Sequence, residues 1–569
     1  MTAFVPLSIS ARIADVLSRH AKDVFGLMGN GNAYFLDAAE AAGLTFHAVR
    51  HEVAAVAAAD AYYRVSGRLA IATTTYGAGF TNAVTSLAEA ARAGIPVVLV
   101  AGDAPSAGVR AWDVDQTGLA AAVGVPTFTA TADDAGRVTK QAVRHALANR
   151  TAVVLAIPYN LATEPVVEYD DGLSPSVDPT PQQFAPDAGA LARAAALLAG
   201  AKRPLLLAGR GARLSEAGDA LSRLAERLGA LTAGTALARR FFSEGPRDLG
   251  IAGGFGTESA AAIMADADVV LVAGAGLNQF TMRFGQLFGP AATVIQVDVS
   301  SGPTHPRVDL FLRGDARSIA EQLINLLPDH RHGSYTWPGV SAEVVTEALH
   351  RHAGTGYAGD GRLDPRSVAA ALDGLLPKDR VVVQDGGHFI GWAPMFWDVP
   401  GPHALNMVGT AFQSIGLGLA SAVGAGAAAP ESTVVLATGD GGLLMALADL
   451  ESVIRTVRSG VIVVFNDSAY GAEIHQYGSL GVTEQPMLIP DVDFAGLAQA
   501  LGAQASTVRS LEDLSAVSRW AEAGAQGVLL LDCKISGSVR APYMEEVMEA
   551  AAAGRTAAVS HPRLRHSVT

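Results

Sequence analysis

The chain of 569 residues has one cysteine, few aromatic residues (6%) and no surplus of positive charge. Each shortage excludes something. A single cysteine forms neither an intrachain disulfide nor a cysteine-ligated metal centre, and Cys533 lies in the apolar run GVLLLDCKI, where it reads as a buried strand residue. A net charge of −14 leaves no cationic field for a nucleic-acid backbone or an anionic membrane surface. No apolar run of about eighteen residues is free of helix breakers or polar side chains. The first residues, MTAFVPLSISARIADVLSRHAKD, carry charges where a secretory signal has its apolar core. A soluble, cytoplasmic protein acting on small molecules is the expectation.

Half of the residues are hydrophobic and 61 are glycine, a composition suited to helices packed closely on sheets. The length calls for about three or four cores. Short apolar runs, glycine turns and helical patterns alternate throughout, which predicts an α/β protein of three doubly wound parallel-sheet domains. The first, residues 1–165, carries the strand candidates DVFGLMG, RLAIATTT, IPVVLVAG and AVVLAIP. A Pro- and Asp-rich linker, 166–187, follows. A smaller Rossmann-like domain, 188–330, offers RPLLLAGRG, ADVVLVAGAG and ATVIQVDVS. After a second linker, 331–363, with one short helix, the third domain, 364–548, offers DRVVVQDGG, STVVLATGD, GVIVVFND and GVLLLDCK. Residues 549–569 are expected to be a mobile tail.

In the third domain the strand ending at Thr438 runs into Gly439-Asp440-Gly441-Gly442 and then into an apolar helical pattern. Glycines admit a diphosphate to the backbone, and the free amides of a helix start favour an anion. About twenty-five residues on, the next strand ends at Asn466-Asp467-Ser468-Ala469-Tyr470-Gly471. Parallel strands finish on one sheet edge, so Asp440 and Asp467 can converge. Two carboxylates, a backbone carbonyl and two diphosphate oxygens would meet the octahedral oxygen demand of magnesium. Gly359-Asp360-Gly361 has nearly the same spacing, but only linker sequence precedes it, and a diphosphate site needs a strand end.

These residues resemble the diphosphate-binding signature of thiamine diphosphate enzymes of the acetohydroxyacid synthase and pyruvate decarboxylase type. The resemblance implies metal ligation by Asp440, by Asp467 (where the family usually has asparagine) and by the backbone oxygen of Ala469. Gly439, Gly441, Gly442, Tyr470 and Gly471 would complete the cofactor contacts. It further implies a glutamate that activates the cofactor's pyrimidine ring. Glu52, in FHAVRHEVAAVAAADAYY beside His51, matches it, and Gly77, Gly79 and Asn82 match the neighbouring loop, with Ala78 in place of the usual proline. Ile415, between Ser414 and Gly416, holds the place of the bulky residue under the cofactor's bend. Because the family joins its two half-sites across a subunit interface, the resemblance implies a homodimer or a dimer of dimers.

The order of domains and the length most resemble the acetohydroxyacid synthase branch, which implies a carboligase taking a 2-oxo acid with an aldehyde or second oxo acid as acceptor. Two features depart from that branch. Trp112-Asp113-Val114-Asp115-Gln116 stands where a Gln-Glu pair is usual, and Glu473 replaces an apolar residue, as in the decarboxylases. Glu473 and His388 are therefore candidate catalytic residues, and 2-oxo acid decarboxylation is the alternative outcome. FAD is a possible cofactor of the central domain, through GRGARLS and GAGLNQFTMRFG. A nicotinamide dehydrogenase would need a fuller dinucleotide pattern; a silent paralogue serving as a binding subunit would not need Glu52, Asp440 and Asp467 together.

Overall fold

The computed structural model describes residues 7–167, 184, 186–242, 245–328 and 337–560, without the side chains of 551 and 553–560. Its frame is three six-stranded parallel sheets. In the first, β1 (Asp23–Gly26), β2 (Thr45–Ala48), β3 (Ala70–Thr74), β4 (Val97–Asp103), β5 (Thr127–Thr129) and β6 (Ala152–Pro158) lie in the order β2-β1-β3-β4-β6-β5. The central sheet orders β7 (Pro204–Ala208), β8 (Leu231–Gly234), β9 (Asp248–Ile251), β10 (Val269–Ala273), β11 (Thr293–Asp298) and β12 (Leu310–Arg313) as β12-β11-β10-β7-β8-β9. The third holds β13 (Arg380–Gln384), β14 (Leu405–Met407), β15 (Thr433–Gly439), β16 (Ser459–Asn466), β17 (Gln504–Val508) and β18 (Gly527–Lys534), ordered β14-β13-β15-β16-β18-β17.

The first and third sheets thus share one topology. In each, the chain steps to one side of its first strand and then to the other, between β1 and β3 and between β13 and β15. That is the switch point at which open parallel sheets present a crevice beyond their carboxyl ends. Inner strands such as β15, TVVLATG, are buried along their whole length because helices cover both faces.

The Ala-rich helix Glu52–Ser66 packs against the Gly- and Ala-rich helix Gly418–Ala428, and one apolar core spans the first and third domains. Small side chains allow the close crossing: a Cβ on Gly424 would land on the carbonyl oxygen of Ala58. At the far end of that helix the buried Arg64 pairs with Asp60 and Glu89 and donates to the Met407 carbonyl, while Glu89 accepts the Phe412 N–H. Arginines tie in the central domain: Arg210 donates to Ala93 O of the first domain and Arg213 to Pro402 O of the third.

One expectation needs correcting, and one holds. Residues 549–560 are not set apart as a tail, because the helix Pro542–Ser560 runs through them; 561–569 lie outside the described residues, as do 168–183 of the first linker. The Gly359–Gly361 segment is a turn closed by the Tyr357–Leu363 bridge, and Asp360 accepts from the Ser536 hydroxyl, so it is no diphosphate loop. Among the described residues no helix is long and apolar enough to cross a membrane.

Candidate functional site

A cavity opens at the carboxyl edge of the third sheet, over the switch point. Its walls are Gly386–Phe389 after β13, Ile415, Gly439–Gly442 after β15, and Asp467 with Ala469–Glu473 after β16. All of the expected diphosphate-half residues meet there. Gly441 and Gly442 keep the turn low. A Cβ on Gly441 would sit 2.7 Å from the Tyr470 ring, and one on Gly442 2.6 Å from Asp385 Oδ2.

The β16 turn is held in an uncommon shape. Ser468 has φ 63°, a left-handed conformation for a residue with a side chain. It lets the Ala469 N–H donate to Asp440 Oδ2 at 3.1 Å. Asn466 secures the strand end through Nδ2 to Asp532 Oδ1 at 2.8 Å, and Arg362 donates to the carbonyls of Asn466 and Asp467. Burial pushes the Asp440 carboxyl up to about 6, against the pull of N–H donors in the turn. Burial and the charge of Asp440 push Asp467 up to about 7. Two desolvated carboxylates facing one cleft are the donor set of a hard divalent cation. Among the described residues no three His, Cys, Asp or Glu side chains gather as a ligand group. A cation here would therefore draw its remaining oxygens from the backbone and from a bound diphosphate.

Ile415 is 39% exposed although it flanks the core, and its side chain rests above Gly386 and Gly442. What places it is Asp385. The fully buried carboxylate accepts N–H bonds from Gly386 (2.8 Å), Gly416 (2.9 Å) and Leu417 (3.3 Å), and burial raises its pKa. Asp385 was not singled out from sequence. The signal was an acid between a strand and two glycines, as at Asp440.

The second cluster lies at the carboxyl edge of the first sheet. Glu52 begins its helix after β2, and its Oε2 accepts from Asn82 Nδ2 at 3.0 Å. A Cβ on Gly79 would stand 3.0 Å from Glu52 Oε1, so that glycine leaves the carboxylate open on one side. Gly77, at φ 60°, donates its N–H to Gln116 Oε1 at 2.6 Å, and Gln116 Nε2 donates to Gly102 O at 2.9 Å. Gln116 clamps the loop at the position where a Gln-Glu pair was expected. Every residue lining the cavity belongs to the third domain, and Glu52 is not among them.

The first domain matches the thiamine pyrophosphate enzyme N-terminal TPP binding domain over residues 7–122, the middle of the chain the central domain of those enzymes over 191–323, and the third domain their C-terminal TPP binding domain over 385–533. The chain belongs to the thiamine pyrophosphate enzyme family. Relatives within it include a sulfoacetaldehyde acetyltransferase of Rhodobacter capsulatus, 29% identical over 94% of this chain and 95% of that protein. The acetolactate synthase isozyme 3 large subunit of Escherichia coli is 27% identical over 86% of this chain and 88% of its own. A sulfoacetaldehyde acetyltransferase of Castellaniella defragrans is 27% identical over 89% and 88%.

For a thiamine pyrophosphate enzyme, the two remaining candidates sit unequally. Glu473, half-buried in the first turn of the helix Gly471–Tyr477, lines the cavity. His388 also lines it, but its Nε2 accepts the Ala541 N–H at 2.9 Å, and burial, with His475 and Arg540 nearby, pulls its pKa down to about 3. In this arrangement the ring is neutral and its Nε2 is engaged by the backbone, while the residue still faces the cavity. In the central domain, where a flavin was expected, the amides of Gly209, Gly211 and Gly274 donate to the carbonyls of Ala273, Gly274 and Val297 and fasten the strand ends.

Proposed function

We propose that the chain is a thiamine diphosphate- and Mg2+-dependent carboligase, acetolactate synthase-like, acting on a 2-oxo acid. The observation that carries this is the pair of desolvated carboxylates, the buried Asp440 and the half-buried Asp467, facing one cleft beside a glycine turn at the switch point. Asp440, Asp467 and the Ala469 carbonyl would hold the cation, and Gly439, Gly441, Gly442, Tyr470 and Gly471 the diphosphate. When bound, the cofactor supplies a nucleophilic ring carbon and an electron sink for decarboxylation. Ile415 supports the bend between its rings. Glu52, steadied by Asn82, holds the proton that the pyrimidine nitrogen needs.

Glu52 and the cavity meet when a second copy of the chain supplies one of them, so the active unit is a homodimer or a dimer of dimers. The exposure of Met28 (65%), Trp112 (61%) and Met445 (56%) supports a covered face. Non-oxidative decarboxylation is a second reading, favoured by one residue: Glu473 on the cavity wall can deliver a proton where a carboligase admits a second carbonyl.

The test is to load the protein with thiamine diphosphate and Mg2+, supply pyruvate and longer 2-oxo acids with and without aldehydes, and identify products by mass. Acetohydroxy acids or 2-hydroxyketones are expected, with turnover reduced at least a hundredfold in Glu52→Gln. Aldehyde as the sole product would replace ligation by decarboxylation. Turnover that survives Glu52→Gln would sink the assignment of that residue.

A further inference from the structure

The left-handed turn after β16 needs a restraint, because a residue with a side chain does not hold that conformation by preference. Ser468, at φ 63°, stands between Asp467 and Ala469, the two residues of this turn that would meet the cation. Its N–H donates to Asn466 Oδ1 at 3.2 Å, and its carbonyl accepts the Ile489 N–H at 2.9 Å. Tyr470 extends the same seam, its N–H donating to Met487 O at 2.8 Å. The turn is thus gripped on one side by the Asn466 amide and on the other by the segment 487–489.

Both grips lead back to two side chains of β18. A primary amide can present either its oxygen or its nitrogen, and a neighbour that only accepts decides which. Asp532 is such a neighbour: it is fully buried, and its Oδ1 accepts from Asn466 Nδ2 at 2.8 Å, which leaves Asn466 Oδ1 turned toward Ser468. The other carboxylate oxygen takes no hydrogen bond from a described residue and is met by charge, with Lys534 Nζ at 3.0 Å. The same buried lysine donates to Asp491 Oδ1 at 2.6 Å and to Val492 O at 3.1 Å, just beyond the segment that backs the turn. One ammonium therefore balances the buried acid and anchors the backing strip. Neither Asp532 nor Lys534 lines the reaction cavity, and both line a second cleft with Thr507 and Arg509.

We propose that Asp532 and Lys534 are positioning residues of the cation site, setting through Asn466 the backbone from Asp467 to Ala469 at the spacing that Mg2+ requires. The inference rests on the proposed function for the ligands themselves, Asp467 and the Ala469 carbonyl. Mg2+ demands near-octahedral oxygens at about 2.0–2.1 Å, whereas Ca2+ accepts irregular shells at about 2.3–2.6 Å. A turn released from its grip must then lose Mg2+ more steeply than Ca2+. Residues that orient metal ligands contribute about ten- to a hundredfold in affinity.

The experiment titrates the full chain, with thiamine diphosphate in excess, with Mg2+ and separately with Ca2+ by calorimetry, so that no turnover is needed. Asp532→Asn keeps the shape and one acceptor oxygen but adds a donor and removes the charge, and it no longer dictates the Asn466 amide. Mg2+ binding at least tenfold weaker is expected, with Ca2+ within threefold of wild type. Lys534→Arg keeps the cation and should stay within threefold for both ions. Adding Ser468→Gly to Asp532→Asn should return Mg2+ affinity to within threefold of wild type, because glycine takes the left-handed conformation without being held there. Asn466→Leu, which removes the amide and leaves the ion pair, should repeat the split between the two ions; thermal melting reports folding, and this variant decides the matter if Asp532→Asn does not fold. Mg2+ affinity unchanged in the folded variants, equal losses for the two ions, or no recovery with Ser468→Gly would overturn the proposal. Wild type that binds neither ion would instead refute the cation site itself, and the positioning role with it.

Discussion

Replacing Asp467 by Asn isolates the electrostatics of the cleft. With its native titration near 7 against an ordinary 3.8, and about 1.4 kcal/mol per pH unit, a charged Asp467 weakens the apo fold by roughly 4 kcal/mol at pH 8. Local relaxation and a second route to charge relief, protonation of Asp440, reduce that figure, so about 2–4 kcal/mol is expected back in the variant. The sign follows from the direction of the shift. A carboxyl raised by folding costs nothing below its unfolded pKa, costs progressively more as pH rises toward its native value, and has a constant cost above it. Asp467→Asn should thus stabilise apoprotein at pH 8 and leave it unchanged near pH 4. With Mg2+ and thiamine diphosphate the order should reverse, since a carboxylate is the stronger ligand for a hard cation. Urea unfolding of both proteins at the two pH values, with and without the ligands, checks each part. An apo gain of the same size at pH 4 and pH 8 would show that packing, not charge, is responsible, and would refute the reasoning.

Further perturbations follow from the fold and the cavity wall. Asp385→Ala strands three N–H donors and frees the Ile415 loop; a loss of about 2–4 kcal/mol in unfolding and at least tenfold weaker cofactor binding by fluorescence titration are expected, and equal binding would remove Asp385 from the placing of Ile415. Gly424→Val drives its side chain into the Ala58 carbonyl, and the helix pair should lose about 3 kcal/mol or more in urea. Arg64→Met leaves Asp60 and Glu89 buried without a cation, at a cost of about 3–5 kcal/mol at pH 8. Part of that should return near pH 5 as Glu89, whose pKa burial already raises, takes up a proton.

Most interior strands were readable in the chain, though β8 was not, and most edge strands were not. Runs such as TVVLATG and GVIVVF are buried on both faces and appear as unbroken apolar stretches. β5, β12, β14 and β17 lie at or near the edges, are short or mixed in polarity, and carry no such run. Glu52, Asp440 and Asp467 could be singled out because each follows a strand beside small residues at a spacing that recurs. Asp385 looked like an ordinary strand end, since its partners Gly416 and Leu417 stand some thirty residues away. His388 invited a catalytic reading because nothing near it in the chain reveals that Ala541 occupies its nitrogen.

The sequence by itself determined the alternation of strands and helices, the three-domain order and the residue types at both half-sites, because these depend on local periodicity and turn chemistry. Tertiary structure alone decided the rest: that Asp440 and Asp467 face one desolvated cleft, that His388 is held by the Ala541 N–H, and that Glu52 lies outside the cavity of its own chain. Charge, titration and hydrogen-bond supply are set by atoms that come together only on folding, across hundreds of residues, and so leave no local trace.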